Sequence, residues 1–313
     1  MLASFLVFFA TAQAQTVRVT LLGTGSPPPA MDRFGPSTLI EAGDQKLLFD
    51  CGRGATQRLR QIGIGMGEVP RVFLTHLHSD HVVGIPDLWL VGWIFGRQTT
   101  PFEVRGPEGV KSMMMHLEKA YEFDIHIRRD VDEKFNPEGI KVVTEEMHEG
   151  DVWESGGVKV IPFEVDHRPI VPAYGYRIEY GDRVVVLSGD TRKSENLVKF
   201  ANGADLIVHE VGGASEELLA RSATTRRVVS HHTLPEEVGE ILSRVKPRMA
   251  AYAHYAIFGI DAAEVVKRTR KIYDGPLEAG VDLMSFEITD DDVKVTRFEG
   301  GAASGTTAVP GQN

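Results

Sequence analysis

The chain alternates between segments with strand patterning and segments with helical patterning. Apolar and polar residues alternate over 17–22 and again through 141–187, whereas 109–121 and 234–245 have helical patterning. We predict strands at 17–22, 37–41, 46–50, 72–75, 158–165, 174–179, 183–187, 205–208, 249–253, 283–287 and 293–298. We predict helices at 55–62, 109–121, 195–201, 234–245 and 262–273. This order predicts one α/β domain over 15–299, without an internal linker or repeat.

The two ends of the chain differ in composition from this domain. Residues 2–10 form an apolar run that is shorter than the ~20 residues needed to span a bilayer. Ala12 and Ala14 follow it as an Ala-x-Ala site, which predicts a signal peptide over 1–14, no membrane span in the mature protein, and a periplasmic or secreted location. No Lys or Arg precedes the run, so a buried first strand in a cytoplasmic protein remains the alternative. The composition of 300–313 predicts a disordered tail.

Composition and charge narrow the function classes. Hydrophobic residues make up 42% and charged residues 25%, as in a soluble globular protein. Lys and Arg number 34 against 44 Asp and Glu, and the net charge of −10 disfavours extended contact with nucleic acid unless a basic patch is concentrated somewhere. The single cysteine, Cys51, excludes an internal disulfide and a cysteine-based zinc cluster, and we expect a buried, inert thiol.

A histidine- and carboxylate-rich motif, HLHSDH at 76–81, follows a predicted strand. Imidazole and carboxylate are ligands of Zn²⁺ and its first-row neighbours. A lone HxH motif would be an ordinary polar turn, but further such residues each follow another predicted strand. The complete group is His76, His78, Asp80, His81, His167, Asp190 and His254. Open α/β sheets build their sites from side chains at strand ends, so the pattern predicts a metal site there.

The sequence over 16–299 resembles the metallo-β-lactamase-fold hydrolases. The likeness rests on HLHSDH and on the segments LLGTGSPPP and LLFDCGRGATQRL. SGDT at 188–191, ADLIVHE at 204–210, HHT at 231–233 and the late His254 resemble the branch that contains RNase Z and the arylsulfatase-like hydrolases. Segments such as DRFGPSTL and HHTLPEEVGEIL bring the chain closest to the arylsulfatase-like members. The resemblance implies a four-layer αββα sandwich with two metals at one edge of the sheets.

The same resemblance implies a division of the metal ligands. One Zn²⁺ would take His76, His78 and His167. The other would take Asp80, His81 and His254, with Asp190 bridging the two ions. Mn²⁺ or Fe²⁺ could replace zinc in such a ligand set.

The resemblance also implies a mechanism, in which a metal-bridging hydroxide attacks and Asp80 holds it in line. His231, in an H-x-T pattern, would protonate the leaving group, and Glu210 would orient His231. Thr233 and Glu236 have the spacing of a capping box at the start of the following helix. The alternative is that His231 and His232 are an ordinary loop pair and Glu210 a surface residue.

Three further positions have two interpretations each. Trp89 and Trp93 lie four residues apart and are expected in the core, the alternative being the wall of a pocket. The pair at 226–227, two arginines, is either solvated or in contact with an anionic substrate. His209 is expected to be a packed strand residue.

Two features that are missing from the sequence, a tRNA-gripping arm and an excess of basic residues, decide the expected substrate. RNase Z proteins carry a tRNA-gripping arm between the ligands that correspond to His167 and Asp190, and here this interval is short. With the acidic balance and the export signal, this predicts a small-molecule ester substrate, aryl sulfate or phosphodiester, and no stable nucleic-acid partner. A homodimer is possible. The alternatives are an RNase Z-like phosphodiesterase or nuclease, a lactone or β-lactam hydrolase, which Asp190 disfavours, and a metal-stabilised binding protein.

Overall fold

Two β-sheets form the framework of the computed structural model, which describes residues 15–299. The strands are β1 (Val17–Gly23), β2 (Ser37–Ala42), β3 (Gln45–Phe49), β4 (Arg71–Phe73), β5 (Phe102–Gly106), β6 (Val142–Glu146), β7 (Trp153–Ser155), β8 (Val158–Glu164), β9 (Tyr174–Tyr180), β10 (Arg183–Leu187), β11 (Leu206–Ala214), β12 (Met249–Phe258), β13 (Leu277–Glu278), β14 (Ser285–Ile288) and β15 (Val293–Thr296). The first sheet has the order β15-β14-β1-β2-β3-β4-β5-β6, and the second has the order β13-β12-β11-β10-β9-β8-β7.

Helices cover the outer faces of both sheets. They are α1 (Ala55–Gln61), α2 (Ser79–Val82), α3 (Ile85–Ile94), α4 (Val110–Ala120), α5 (Glu122–His126), α6 (Pro137–Ile140), α7 (Glu195–Phe200), α8 (Glu216–Arg221), α9 (Ala223–Val229), α10 (Pro235–Val245) and α11 (Ala262–Thr269). Single turns of 3₁₀ and π geometry lie at Met66–Glu68 and Ile127–Val131. None of the helices in residues 15–299 is long and apolar enough to cross a membrane.

Three apolar layers separate the four layers of secondary structure. The layer between the sheets includes Leu21, Phe49, Phe73, Tyr176 and Leu206. The layer between the first sheet and its helices includes Leu48, Trp89, Trp93 and Phe102. The layer outside the second sheet includes Ile207, Val238, Leu242 and Tyr252. Because each sheet is packed on both faces, the αββα sandwich is confirmed.

The direction of the strands decides where their loops meet. Strands β3 to β6 are parallel to one another, as are β10 to β13. The sheets are tied together at the end of β4, where the Tyr174 amide donates to the Thr75 carbonyl at 2.9 Å and the Tyr176 hydroxyl donates to the Leu74 carbonyl at 2.8 Å. The residues that follow β4 and β10 therefore project into one crevice.

The structure differs from the sequence prediction in the extent and in the number of its elements. β11 and β12 run on to Ala214 and Phe258, well past the predicted ends, because all of β11 and most of β12 are buried between other layers. The prediction lacks strands β5, β6, β7 and β13 and helices α2, α5, α6, α8 and α9. Trp89 and Trp93 are both fully buried, so the prediction that they belong to the core is confirmed. The predicted signal peptide (1–14) and tail (300–313) lie outside the described residues.

Candidate metal centre

The HLHSDH loop begins one residue after the Thr75 that ties β4 to the second sheet. Its last histidine, His81, has its Nδ1 at 2.8 Å from Oδ2 of Asp50, at the end of β3. Asp50 also accepts hydrogen bonds from the Thr75 amide at 2.9 Å and the Thr75 hydroxyl. A carboxylate that accepts the Nδ1 proton of His81 leaves Nε2 with a lone pair that faces the crevice.

Three imidazoles and one carboxylate form the first group of possible ligand atoms. His78 Nδ1 lies 2.9 Å from His76 Nε2 and 3.4 Å from His167 Nε2. Asp190 Oδ2 lies 3.9 Å from His76 Nε2 and 3.8 Å from His167 Nε2. His167 Nδ1 is 3.1 Å from the carbonyl of His231, so its Nδ1–H donates there and Nε2 is left free. Burial lowers the pKa of His167 to about 4 and holds the pKa of His76 well below its usual range, so both rings are neutral at pH 7.

The second group lies on the other side of Asp190. His254 Nε2 is 3.4 Å from Asp80 Oδ2 and 3.3 Å from Asp190 Oδ2. His81 Nε2 is 3.5 Å from the same Asp190 oxygen and 3.7 Å from Asp80 Oδ2. Asp190 thus lies between both groups, which is the position that the resemblance implied for it.

The donor chemistry of these residues fits divalent metal. Neutral imidazole nitrogens that face one another at 2.9 Å share at most one proton, and a cluster of them is stable only around an electrophile. Within the crevice, three buried atoms, His81 Nε2, Asp190 Oδ1 and His254 Nδ1, lack a hydrogen-bond partner among residues 15–299. All three residues belong to the His/Asp groups that could hold an ion. A divalent cation, typically zinc, is therefore implied, while the number of ions and the division of ligands between them remain predictions.

A β-bulge brings His254 to the site. His209 pairs with Tyr252 and Val211 with Tyr255, so β12 has one more residue than β11 in this interval. The extra length places His254 at φ 46°, in the left-handed region that a residue with a side chain rarely adopts. Bulges of this kind redirect a side chain next to a functional site.

The expected pairing of His231 with Glu210 is wrong, because a different histidine contacts Glu210. His232 Nδ1, not His231, lies 3.0 Å from Glu210 Oε2, and the Thr233 amide donates to Glu210 Oε1 at 2.7 Å. Glu210 and His232 are both buried, whereas the His231 side chain is partly exposed and its carbonyl serves His167. Glu210 is therefore a buried residue and not a surface one.

The start of α10 also differs from the prediction. The prediction placed Thr233 and Glu236 at the helix start, but the helix begins one residue later, at Pro235. The Leu234 amide donates to Glu237 at 2.9 Å, and Glu236 instead pairs with Arg268.

Burial and the neighbouring carboxylate act in opposite directions on His232. Burial alone would lower its pKa, but the charge and hydrogen bond of Glu210 outweigh burial and raise the pKa to about 9. The ring of His232 lies 5.3 Å from that of His167 and 5.5 Å from that of His254, centroid to centroid. A protonated His232 at neutral pH is thus placed beside the His/Asp groups.

Sequence reasoning missed Asp50, Thr75 and His232. The signal for Asp50 was its position directly after a buried strand, in the segment LLFDCG. Cys51 and His209 were predicted correctly as buried residues, and burial raises the pKa of the Cys51 thiol far above its usual range.

Two adjoining cavities open onto the site and share His232. One, of about 320 Å³, has the His/Asp groups as its floor and Pro27, Pro28, Val228 and Phe258 among its walls. The other, of about 460 Å³, is a more polar groove lined in part by Arg192, Lys193 and Arg226. Asp166 and Glu237 line the same groove, and Arg192 pairs with Asp166 at 3.0 Å. The groove lining therefore holds three cations against two carboxylates, a small positive excess in a chain with a net charge of −10.

The sequence is similar to known proteins over most of its length. A family model described as "Anti-Pycsar protein Apyc1" matches residues 17–253. Ribonuclease Z of Mycolicibacterium gilvum is 37% identical over 242 residues, which cover 76% of this chain and 84% of that protein. Ribonuclease Z of Mycobacterium marinum is 34% identical over 279 residues, covering 87% of this chain and 99% of that protein.

Solved structures show the same fold at low sequence identity. The metallo-β-lactamase-fold protein YhfI from Bacillus subtilis has a TM-score of 0.67 at 17% identity and covers 87% of this chain and 99% of its own. The short form of human tRNase Z has a TM-score of 0.64 at 19% identity and covers 86% of this chain and 98% of its own.

These similarities correct the expected substrate. The expectation of a small-molecule ester and no nucleic-acid partner is wrong, because the relatives are named Ribonuclease Z, an enzyme of RNA. The placement closest to the arylsulfatase-like members is not confirmed, and aryl sulfate hydrolysis has no support. The expectation rested on the net charge of the whole chain, the short interval between His167 and Asp190 and the predicted export signal, and none of these measures the charge next to the site.

Proposed function

Because this chain belongs to the family described as Anti-Pycsar protein Apyc1 and is a metallo-β-lactamase-fold hydrolase homologous to Ribonuclease Z, we propose that it is a metal-dependent ribonuclease. The reaction is hydrolysis of a phosphodiester bond in RNA. The observation that carries the proposal is Asp190, a buried carboxylate within 4 Å of ring nitrogens from both ligand groups. This arrangement faces a cavity that shares His232 with the groove lined by Arg192, Lys193 and Arg226.

The residues proposed to hold metal are His76, His78, Asp80, His81, His167, Asp190 and His254, as two ions. When bound, divalent cations in such a site neutralise charge on a phosphate and acidify water. Asp50 fixes the orientation of His81, and the His231 carbonyl fixes that of His167. Side chains that are oriented in advance lose little freedom when substrate binds.

The chain's own residues account for positioning and proton transfer. Asp80 is 5% exposed, and we assign its carboxylate to orienting the attacking water in line with the phosphorus. As the P–O bond breaks, the leaving oxygen takes a proton from His232, whose Nδ1 is held by Glu210 and whose Nε2 carries that proton. We therefore transfer the general-acid role from His231 to His232.

The absence of an RNase Z arm does not oppose this function. The chain spans 99% of the length of the Mycobacterium marinum protein, so a relative of this size bears the name Ribonuclease Z. The groove lined by Arg192, Lys193 and Arg226 supplies local positive charge for the phosphates that flank the cleaved bond.

The test is cleavage of radiolabelled single-stranded RNA and of a tRNA precursor by purified protein, before and after exhaustive chelation. We expect cleavage that is lost on chelation and restored by Zn²⁺ or Mn²⁺. Asp190→Asn should lack activity, and His116→Ala, a change at an exposed position on α4, should retain it. RNA left intact by metal-loaded wild-type protein would refute the proposal, as would activity that survives chelation.

A further inference from the structure

One wall of the catalytic cavity is apolar although its floor is made of histidine and aspartate. Val228 comes from α9, and Ala256 and Phe258 come from the end of β12. Phe258 is only partly buried, so its ring is available to a molecule in the cavity. Phosphate hydrolysis itself has no use for this surface, which implies that the apolar part of the substrate lies against it.

The opposite wall is a loop held rigidly at its base. The loop runs through Pro27 and Pro28, whose φ angles are fixed by their rings. Its two ends are joined where the Gly25 amide donates to the Phe34 carbonyl at 2.7 Å. We call residues 26–32 the proline rim.

Asp282 secures the base of the proline rim from across the fold. Its carboxylate accepts hydrogen bonds from the amides of Thr24 at 2.9 Å and Phe34 at 2.7 Å. It is also paired with Arg58 at 2.9 Å, and its side chain is 4% exposed. A buried carboxylate with this many partners holds the rim in place before substrate arrives.

The cavity between the two walls has room for a base. Its volume of about 320 Å³ lies at the lower end of the range for small-molecule pockets. The flat faces of every base are apolar, whereas hydrogen-bonding groups that read base identity lie on the edges. Apart from the residues proposed to hold metal, the polar side chains in the cavity lining are Ser26, His231 and His232.

We propose that a base adjoining the scissile phosphate stacks on Phe258 in this cavity, between Val228 and the proline rim. The inference rests on the proposed ribonuclease function and adds a residue, Phe258, that positions the substrate next to the scissile phosphate. Phosphates on the far side then extend into the groove of Arg192 and Arg226, which joins the cavity at His232.

The test combines a change in the protein with a change in the RNA. Substrates are short single-stranded oligoribonucleotides with one cleavable linkage, carrying either a normal base or a tetrahydrofuran abasic residue on each side in turn. With normal RNA, Phe258→Ala should raise KM about tenfold, which matches the loss of one base–aromatic stack, and should change kcat little. With the abasic residue at the stacked position, wild type and Phe258→Ala should have the same KM.

Matched variants separate stacking from damage to the fold. Phe258→Tyr should behave like wild type, and Phe123→Ala, at a 78% exposed phenylalanine on α5, should leave KM unchanged. Asp282→Asn should raise KM for normal RNA and leave the abasic substrate unaffected. If Phe258→Ala is unstable, Phe258→Leu and the abasic substrates carry the same comparison.

Three outcomes decide the matter. Equal effects of Phe258→Ala on normal and abasic RNA at every position would overturn the stacking proposal and leave the ribonuclease function standing. Faster cleavage of the same linkage within a duplex would also overturn it. RNA that is not cleaved at all would instead contradict the proposed function.

Discussion

The two halves of the metal centre are built in different ways. The first half is a single loop, 76–81. The Asp50 carboxylate contacts His81 of this loop and also accepts a hydrogen bond from the Thr75 hydroxyl. The second half consists of His167, Asp190 and His254, which come from separate segments of the second sheet. His167 is oriented by a main-chain carbonyl, and His254 by a bulge with a left-handed residue.

This difference shows which part of the site depends on the whole fold. A loop whose ligands are neighbours in sequence needs only local structure and one supporting carboxylate. His167 and Asp190 follow β8 and β10, and His254 lies inside β12, so these ligands need the second sheet to be formed. Asp190, in the second half, is the residue that approaches His81 of the first half as well as His167. Substitutions at Asp190 should therefore cost the most.

The largest effect is expected at Asp190. Asp190→Ala removes the carboxylate that approaches both ligand groups. The bound metal supplies several kcal/mol of charge stabilisation in the transition state, and each tenfold change in rate corresponds to about 1.4 kcal/mol. We therefore expect kcat/KM to fall by more than about 10⁴-fold. Metal content, measured by atomic absorption after gel filtration, should fall as well. A variant that keeps full metal and within tenfold of wild-type activity would show that the two halves do not meet at Asp190.

The next effect separates the two neighbouring histidines. His232→Ala should lower kcat by about 10²- to 10³-fold, because the leaving oxygen loses its proton donor, while metal content remains at the wild-type level. His231→Ala should cost less than tenfold, since His231 serves His167 through its backbone. Both variants should be compared on RNA and on a nitrophenyl phosphodiester, whose leaving group needs no proton. A loss of metal in His232→Ala would make His232 a ligand instead.

A smaller effect tests the support of the first half. Asp50→Asn should weaken metal affinity by about 10- to 100-fold, as other changes to the partner of a ligating histidine do. The measurement is competition with a chromophoric chelator, with Gln45→Asn, on the neighbouring β3, as the control. Unchanged affinity would mean that the loop holds His81 without Asp50.

The smallest effect is expected at Cys51, which is next to the loop 76–81. Its amide donates to the His81 carbonyl at 2.7 Å, but its thiol is fully buried, and burial raises the pKa of that thiol. Cys51→Ala should therefore leave metal content and activity within about twofold of wild type, since an inert buried thiol contributes packing alone. Rapid reaction of native protein with a thiol reagent, or metal loss in the variant, would contradict this.

Much of the site could be predicted because its candidate ligands occur in a recognisable sequence pattern. HLHSDH places four candidate ligands within six residues, and His167, Asp190 and His254 each lie near the end of a predicted strand. The alternation of strand and helix patterning predicted one α/β domain, the family resemblance implied the four layers, and the burial of Trp89 and Trp93 followed from their apolar surroundings. These features are local, so they can be recognised from neighbouring residues alone.

Other features were decided by tertiary structure. Which of His231 and His232 meets Glu210 depends on how β11 packs against the segment before α10, 22 residues further along the chain. The groove gathers Arg192 and Arg226 from distant segments, which no sum of charges along the chain could reveal.

The sequence by itself therefore determined the kinds of candidate ligand and the α/β class, since both can be recognised from neighbouring residues. The tertiary structure alone decided that His232 contacts Glu210, that Asp50 supports His81 and which charged side chains line the groove. Each of these depends on contacts between segments far apart in the chain, where a shift of a few ångströms changes which side chain meets which.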